Sequence, residues 1–352
     1  MRKRPFSLSL LALAAWLGGA GPALAQAAAH GGLAVAFVSI RSGDPQIYTQ
    51  DDSGRIVMLT TGKGLPSQPN WSARNQLAYT ARVNGQPRLF VTEAAAGSAQ
   101  RLTQDDVMET SASWSPDGLQ LAYYAKQPGG VVELRVRDLA SGKTQTLASD
   151  KFEMGPAPAA WSADGRRLAF STLNANDRSQ IWVVGRDGSG LKNVSEPVSQ
   201  RGGVSPSLSP DGQKLVWVAN QRGRSPVMLT DLATGASVDV TPGELSANET
   251  PRFSPDGRFI TFASIRDNLE QARNDIFVMD LETRQVRNLS QHPGEDFDPK
   301  WSPDGQRIVF ASLRTGTSLL YEVNLINGQT RALSTHASHD MDHVLRPVAA
   351  LK

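Results

Sequence analysis

A short motif that recurs every 43 to 48 residues predicts an all-β fold: a β-propeller of seven four-stranded antiparallel blades. Three observations carry this reading. The first is the regular spacing of the motif. The second is the β-prone apolar run that follows each copy. The third is that the two chain ends lack complementary parts of one unit.

The chain opens with a secretory leader, residues 1–25. Arg2, Lys3 and Arg4 form a positive n-region, an apolar stretch too short for a comfortable bilayer span follows, and Ala23 and Ala25 supply the small residues signal peptidase needs. Cleavage is expected before Gln26, leaving a short segment, 26–32, ahead of the propeller at 33–349. No later stretch is long and apolar enough for a transmembrane helix, so a monomeric, exported, periplasmic protein is expected. The 352 residues include 36 Lys and Arg against 34 Asp and Glu, and three of the basic residues lie in the leader. The exported part is therefore near neutral and has no basic run, which excludes a nucleic-acid binder. With no cysteine, disulfides, thiolate metal sites and cysteine nucleophiles are excluded as well.

The motif reads Trp114-Ser115-Pro116-Asp117-Gly118, Trp161-Ser162-Ala163-Asp164-Gly165, Leu208-Ser209-Pro210-Asp211-Gly212, Phe253-Ser254-Pro255-Asp256-Gly257 and Trp301-Ser302-Pro303-Asp304-Gly305. A degenerate copy, Trp71-Ser72-Ala73-Arg74-Asn75, precedes them. Ser, Pro and Gly at the first, second and fourth turn positions suit a type I turn, and Asp at the third bonds nearby backbone. The runs after it, such as Leu215-Val216-Trp217 and Ile308-Val309-Phe310, are short and continuously apolar, as strands covered on both faces are. A second hairpin follows in most units, giving four strands.

The blade count comes from the ends. Residues 33–60 supply strands two to four of a unit without its first strand, and 333–347 repeat the pattern of 289–303, with Asp340 and Asp342 standing where Asp296 and Asp298 stand. A C-terminal inner strand near 341–349 completing the N-terminal unit gives seven blades and removes the open edges. Six or eight blades are the alternatives.

This repeat resembles the TolB-type propeller repeat, also called WD40-like or PD40, over essentially the whole exported chain. The same repeat type occurs in the TolB protein of the Tol–Pal envelope system, in propellers attached to serine peptidases and in oligogalacturonate lyases. The resemblance implies a propeller without the α/β domain that precedes it in TolB, because few residues separate the leader from the first strand. It leaves open a Tol–Pal role.

Candidate chemistry is sparse. No Gly-x-Ser-x-Gly elbow is present, and no catalytic residue is assigned. Four late histidines, His292, His336, His339 and His343, form a candidate metal set, and the likeness to oligogalacturonate lyases implies a histidine-held metal. Against this, His292 and His336 are repeat-equivalent and suit a loop role. The second candidate is a group of acids entering the first strands: Glu109, Glu153, Glu249, Asp296, Asp298, Asp340 and Asp342. If they converge at one channel mouth they attract a cation or a basic ligand; otherwise they are turn acids. Arginine-containing loops such as Arg266-Asp267-Asn268 and Arg314-Thr315-Gly316 suit local salt bridges. The expected function is a non-enzymatic propeller that binds an envelope protein or peptide over one face, with no cofactor beyond a cation in the channel. The alternative is a metal-dependent carbohydrate-active enzyme.

Overall fold

The computed structural model describes residues 33–347, apart from 95–98, 105–106, 151–152, 155–156, 175, 177, 243–246 and 337. The leader and its cleavage site lie outside the described residues. Within them the chain forms seven antiparallel sheets. Blade 2 runs Ser67–Trp71, Gln76–Val83, Gln86–Glu93, Gln100–Arg101 from axis to rim, and blade 3 runs Met108–Trp114, Gln120–Lys126, Val132–Asp138, Thr144–Asp150. In blade 4 the inner strand is split into Glu153–Met154 and Ala160–Trp161, both pairing Arg167–Leu173, with Ser179–Gly185 and Lys192–Asn193 outside. The inner strands of blades 5, 6 and 7 are Gly203–Leu208, Asn248–Phe253 and Asp296–Trp301.

Blade 1 is built from both ends of the chain. Its inner strand is Asp340–Leu345, and Val35–Ser39, Gln46–Gln50 and Ile56–Met58 follow outward. Val35 pairs Leu345 and Ser39 pairs Asp340, so the C-terminal strand closes the ring in the blade that the sequence deficits predict. Strand pairing thus replaces two open edges with one continuous circle of sheets.

Apolar side chains leave the second strand of each blade to both sides. Ile308 and Phe310 pack with Ala263 and Ile276 of blade 6, whereas Val309 and Ala311 pack with Val35 and Phe37 of blade 1. Val216 likewise joins Phe262 and Phe277 across the 5–6 interface, and Trp217 faces Ile181 and Ala169 of blade 4. The core is therefore a series of slabs between blades, which is why these strands read as unbroken apolar runs.

The repeated turn folds as its residues dictate. The Gly118 N–H donates to the Ser115 carbonyl at 2.8 Å, and the Ser115 hydroxyl donates to Asp117 Oδ1 at 2.6 Å. The Leu119 and Gln120 amides then donate to Asp117 Oδ1 and Ser115 Oγ. Ser162–Asp164, Ser209–Asp211, Ser254–Asp256 and Ser302–Asp304 repeat this arrangement. The degenerate copy keeps the turn with Asn75, at φ 63°, in the glycine position. Asparagine is the non-glycine residue best suited to that left-handed region. Gly257 is at φ 74°, and a Cβ there would lie 3.1 Å from Cδ of Pro210; Gly165 on Pro116 and Gly305 on Pro255 repeat this stacking of one turn on the next.

Three of the motif tryptophans tie their blade to the one before. The indole N–H groups of Trp114, Trp161 and Trp301 donate to the carbonyls of Asn70, Ser113 and Arg252, in each case the residue before the preceding blade's own aromatic position. A large apolar body is buried while its polar edge stays bonded.

Two stability outcomes follow. Deleting 340–352 should lower the melting temperature by ~10 °C or more, because blade 1 loses its inner strand and the ring loses its seam; a truncated protein that melts like the full chain would show that the seam is dispensable. Gly257→Ala should cost about 1–2 kcal/mol in urea unfolding, through its left-handed φ and the contact with Pro210.

Candidate functional site

Contacts between neighbouring inner strands place those strands around the central channel. In blades 1, 3, 4, 6 and 7 the inner strand begins at an acid-bearing end, and in blades 2 to 7 it leads into the repeated turn, so the channel has an acid mouth and a turn mouth. In six blades the inner strand slips register just before the aromatic position. At each slip one residue takes a positive φ: Gln68, Ser111, Ser205, Thr250, Asp298 and Asp342, between 48° and 57°. A bulge of this kind re-aims one side chain and frees the next N–H from the ladder. Proline is tolerated there, and Pro69, Pro206, Pro251 and Pro299 occupy that next position. The recurring x-Pro inside an otherwise strand-like stretch is the signal of these bulges. Sequence reasoning passed over it.

The bulge residues bond to one another around part of the channel. The Gln68 amide donates to Asp342 Oδ2 at 3.3 Å, and the Ser111 hydroxyl donates to Gln68 Oε1 at 3.4 Å. Asp298 lies 3.1 Å from Lys300 Nζ and 3.6 Å from His343 Nδ1. Lys300 also donates to the His343 carbonyl. Burial pushes the Asp298 carboxyl up, but the charges of Lys300 and Arg252 outweigh it and hold it below the usual carboxylate range. Burial and the charge of Lys300 push the His343 imidazole down to about 4, so it is neutral at pH 7.

The seven expected channel acids do not form one set, and three of them do not reach a mouth. Glu109, Asp296 and Asp340 are fully buried. Asp340 receives two hydrogen bonds from Arg41, at 2.9 and 3.0 Å, and Asp296 receives two from Arg314, both 3.2 Å. Each arginine stacks on the aromatics of its own blade, Arg41 over Phe37 and Tyr48, Arg314 over Phe310 and Tyr321. Glu109 accepts from the Thr103 hydroxyl at 2.6 Å. These acids fasten the blade and its connecting loops. The local-pair reading of the Arg314 loop accordingly agrees with the geometry. Glu249 and Asp342 are exposed and Asp298 is half-buried. The side chain of Glu153 lies outside the described residues. Asp296 and Asp340 are therefore not available to attract a cation or basic ligand at a mouth, because each charge is met by an arginine.

The four histidines do not converge. The Nδ1 of His292 accepts from the Gly294 amide at 2.9 Å, which is a loop role. His336 and His339 are exposed, and His339 Nδ1 accepts from the Ser318 amide at 3.4 Å. His343 is buried at the bulge, where four other blades carry proline. Among the described residues no three His, Asp or Glu side chains are grouped to hold a metal. The set does not fit the histidine-held metal that the lyase likeness implies.

The turn mouth opens into a cavity of about 570 Å³ shared by five blades. Trp161, Leu208, Phe253, Trp301 and Leu345 form its collar, with prolines 210, 255, 303 and 347 outside and Arg252 and Lys300 below. Among the described residues no carboxylate lines it.

Comparison with known proteins bears on this arrangement. Residues 186–349 match the family profile described as the TolB beta propeller domain, PD40. The chain carries a TolB-like β-propeller. A protein described as a TolB homolog, from Chlorobium luteolum, is 27% identical over 184 residues, which is 51% of this chain and 38% of that protein. The chain spans a little over a third of the length of the curated relatives it matches. Among solved structures, an oligogalacturonate lyase in complex with manganese superposes with TM-score 0.64 at 15% identity, covering 88% of this chain and 87% of the lyase. A puromycin hydrolase superposes with TM-score 0.69 at 14% identity, covering 88% of this chain and 53% of the hydrolase. At these identities the two structures show the fold alone.

Three outcomes test the geometry. Asp340→Asn and Asp296→Asn should each destabilise by roughly 1–3 kcal/mol in urea unfolding, because a partly buried guanidinium loses its counter-charge. Exposed Glu249→Gln should change stability by less than ~0.5 kcal/mol. For His343 the unfolded chain takes up its proton near pH 6.5 and the folded chain only near 4, so stability is full above 6.5 and falls as pH drops towards 4, by about 3 kcal/mol. His343→Pro should flatten that slope between pH 6.5 and 4; an unchanged slope would place the titration elsewhere.

Proposed function

We propose that the protein is an exported, non-enzymatic binding propeller that recognises an envelope protein or peptide at the turn mouth of its channel. One observation carries this reading: the 570 Å³ cavity whose apolar and proline collar comes from five blades, with Arg252 and Lys300 beneath it. Such a concave, mainly apolar site with a few placed polar groups suits a side chain or short segment of a partner, and its cations favour a segment that also bears a carboxylate. A rigid scaffold presenting loops in this way suits binding. The leader read from the sequence supports a periplasmic location. The likeness to a TolB homolog supports a binding role, while the likenesses to a lyase and a hydrolase support no chemistry here, because the described residues group no metal ligands and the sequence has no nucleophile elbow.

The test is site-specific photocross-linking in the periplasm. A cross-linker at Pro255 or Pro303 should give a discrete adduct with an envelope protein, and one at exposed Asn327 on the outer rim should not. Identical adducts from both places, or none from the mouth, would remove the reading. Stoichiometric manganese or another transition metal in the purified protein, lost in His339→Ala and His343→Ala, would favour the enzyme instead.

A further inference from the structure

The outer edges of the blades are unequal. The outermost strands of blades 1, 2, 4, 5, 6 and 7 are two or three residues long, whereas that of blade 3, Thr144–Asp150, has seven. Among the described residues no strand pairs with its outer side. A long unpaired edge is a template for another extended chain, and proteins commonly shorten such edges. Six blades here do so and one does not.

The neighbouring blade recedes at that place. The outer strand of blade 4 is only Lys192–Asn193, so the outer part of blade 3 stands beside a step. The step is a groove of about 1090 Å³, the largest cavity among those described, and it runs from Thr144 and Gln145 on the blade 3 edge to the 185–190 hairpin of blade 4. The Gln145 side chain spans it, donating to the Asp187 carbonyl at 2.8 Å. Val183, Val194 and Leu232 contribute an apolar floor.

The rim of the groove is basic. Five cations line it against three carboxylates. The carboxylates, Asp138, Asp164 and Asp187, are each engaged by serine and backbone donors of their own turns. Lys143, Arg166 and Lys192 are exposed, on the two walls. A bulge at Leu147 divides the edge; residues 144–146, all exposed, form one half, and Thr144 and Gln145 of it border the groove.

We propose that this edge and groove are a second binding site, which takes an extended acidic peptide segment of a partner protein by strand addition to residues 144–146. Main-chain hydrogen bonds to the edge supply affinity, and alternate side chains drop into the groove. Carboxylates on that side of the peptide meet Lys143, Arg166 and Lys192, which supplies the preference for an acidic over a basic segment. The site lies at the rim and is independent of the channel mouth.

The probe is a fluorescein-labelled, end-capped octapeptide of alternating Val and Glu, with the alternating Val and Lys peptide as counterpart. Fluorescence anisotropy at low salt should show the acidic peptide binding at least tenfold tighter than the basic one, with affinity falling as salt is added. Hydrogen exchange of the full chain should slow at residues 144–146 when the acidic peptide is bound. The triple variant Lys143→Glu, Arg166→Glu, Lys192→Glu should lose at least tenfold in affinity at an unchanged melting temperature. Equal binding of the two peptides overturns the proposal, as does binding with no added protection at 144–146, which would be adsorption to surface charge. The protection map is read on the unaltered protein, so it decides the matter even if the variant folds poorly.

Discussion

Everything in this molecule depends on the pairing of Asp340–Leu345 with Val35–Ser39. Each blade is stabilised by its neighbours, so an open array would expose the apolar face of a sheet at each end. Closure through strand hydrogen bonds converts those two faces into one more interface, filled by Val35, Phe37, Leu320 and Leu345. The buried pair of Asp340 with Arg41 sets the strand at its first residue, and a hydrogen bond between Ser39 and Ser338 lies beside it. A charge pair placed there does more for register than for net stability, since the desolvation of both groups offsets much of their attraction.

The same repeat performs two tasks at its two ends. At the turn mouth, identical Ser–Asp networks recur, with Pro stacked on Gly from blade to blade, and the aromatic positions close a collar. At the acid mouth the repeat varies: Glu109, Gly203, Asn248, Asp296 and Asp340 occupy one buried position at the start of the inner strand. Asp296 and Asp340 take arginine partners, whereas the amide of Asn248 donates to the Ser225 carbonyl. Between the ends, the positive-φ bulges aim Gln68, Ser111, Asp298 and Asp342 inward. Local backbone strain of this kind persists only where the surrounding sheet imposes it.

The charge of the channel is consequently divided. Asp298 is matched by Lys300 and Arg252, and the turn mouth is cationic and apolar. Exposed carboxylates such as Glu249 and Asp342 belong to the other end. The propeller therefore presents different chemistry on each face, and a third kind at the rim between blades 3 and 4, where an unpaired edge adjoins a basic groove.

The repeat period, the turn chemistry, the four-strand unit and the shared blade were all legible in the sequence, because each is a local pattern or a count: Ser-Pro-Asp-Gly specifies its own hydrogen bonds, and 33–60 lacks what 333–347 supplies. The partners of the acids were not. Asp296 and Asp298 are two residues apart and look alike in sequence, yet one is buried against Arg314 and the other lies at a bulge beside His343 and Lys300. Only the fold brings residue 41 to residue 340, or buries His343 beside Asp298 while His339 stays exposed. Burial and charge pairing are properties of three-dimensional neighbours, and in a ring closed by its own ends a charge pair such as Arg41 and Asp340 joins residues 299 apart.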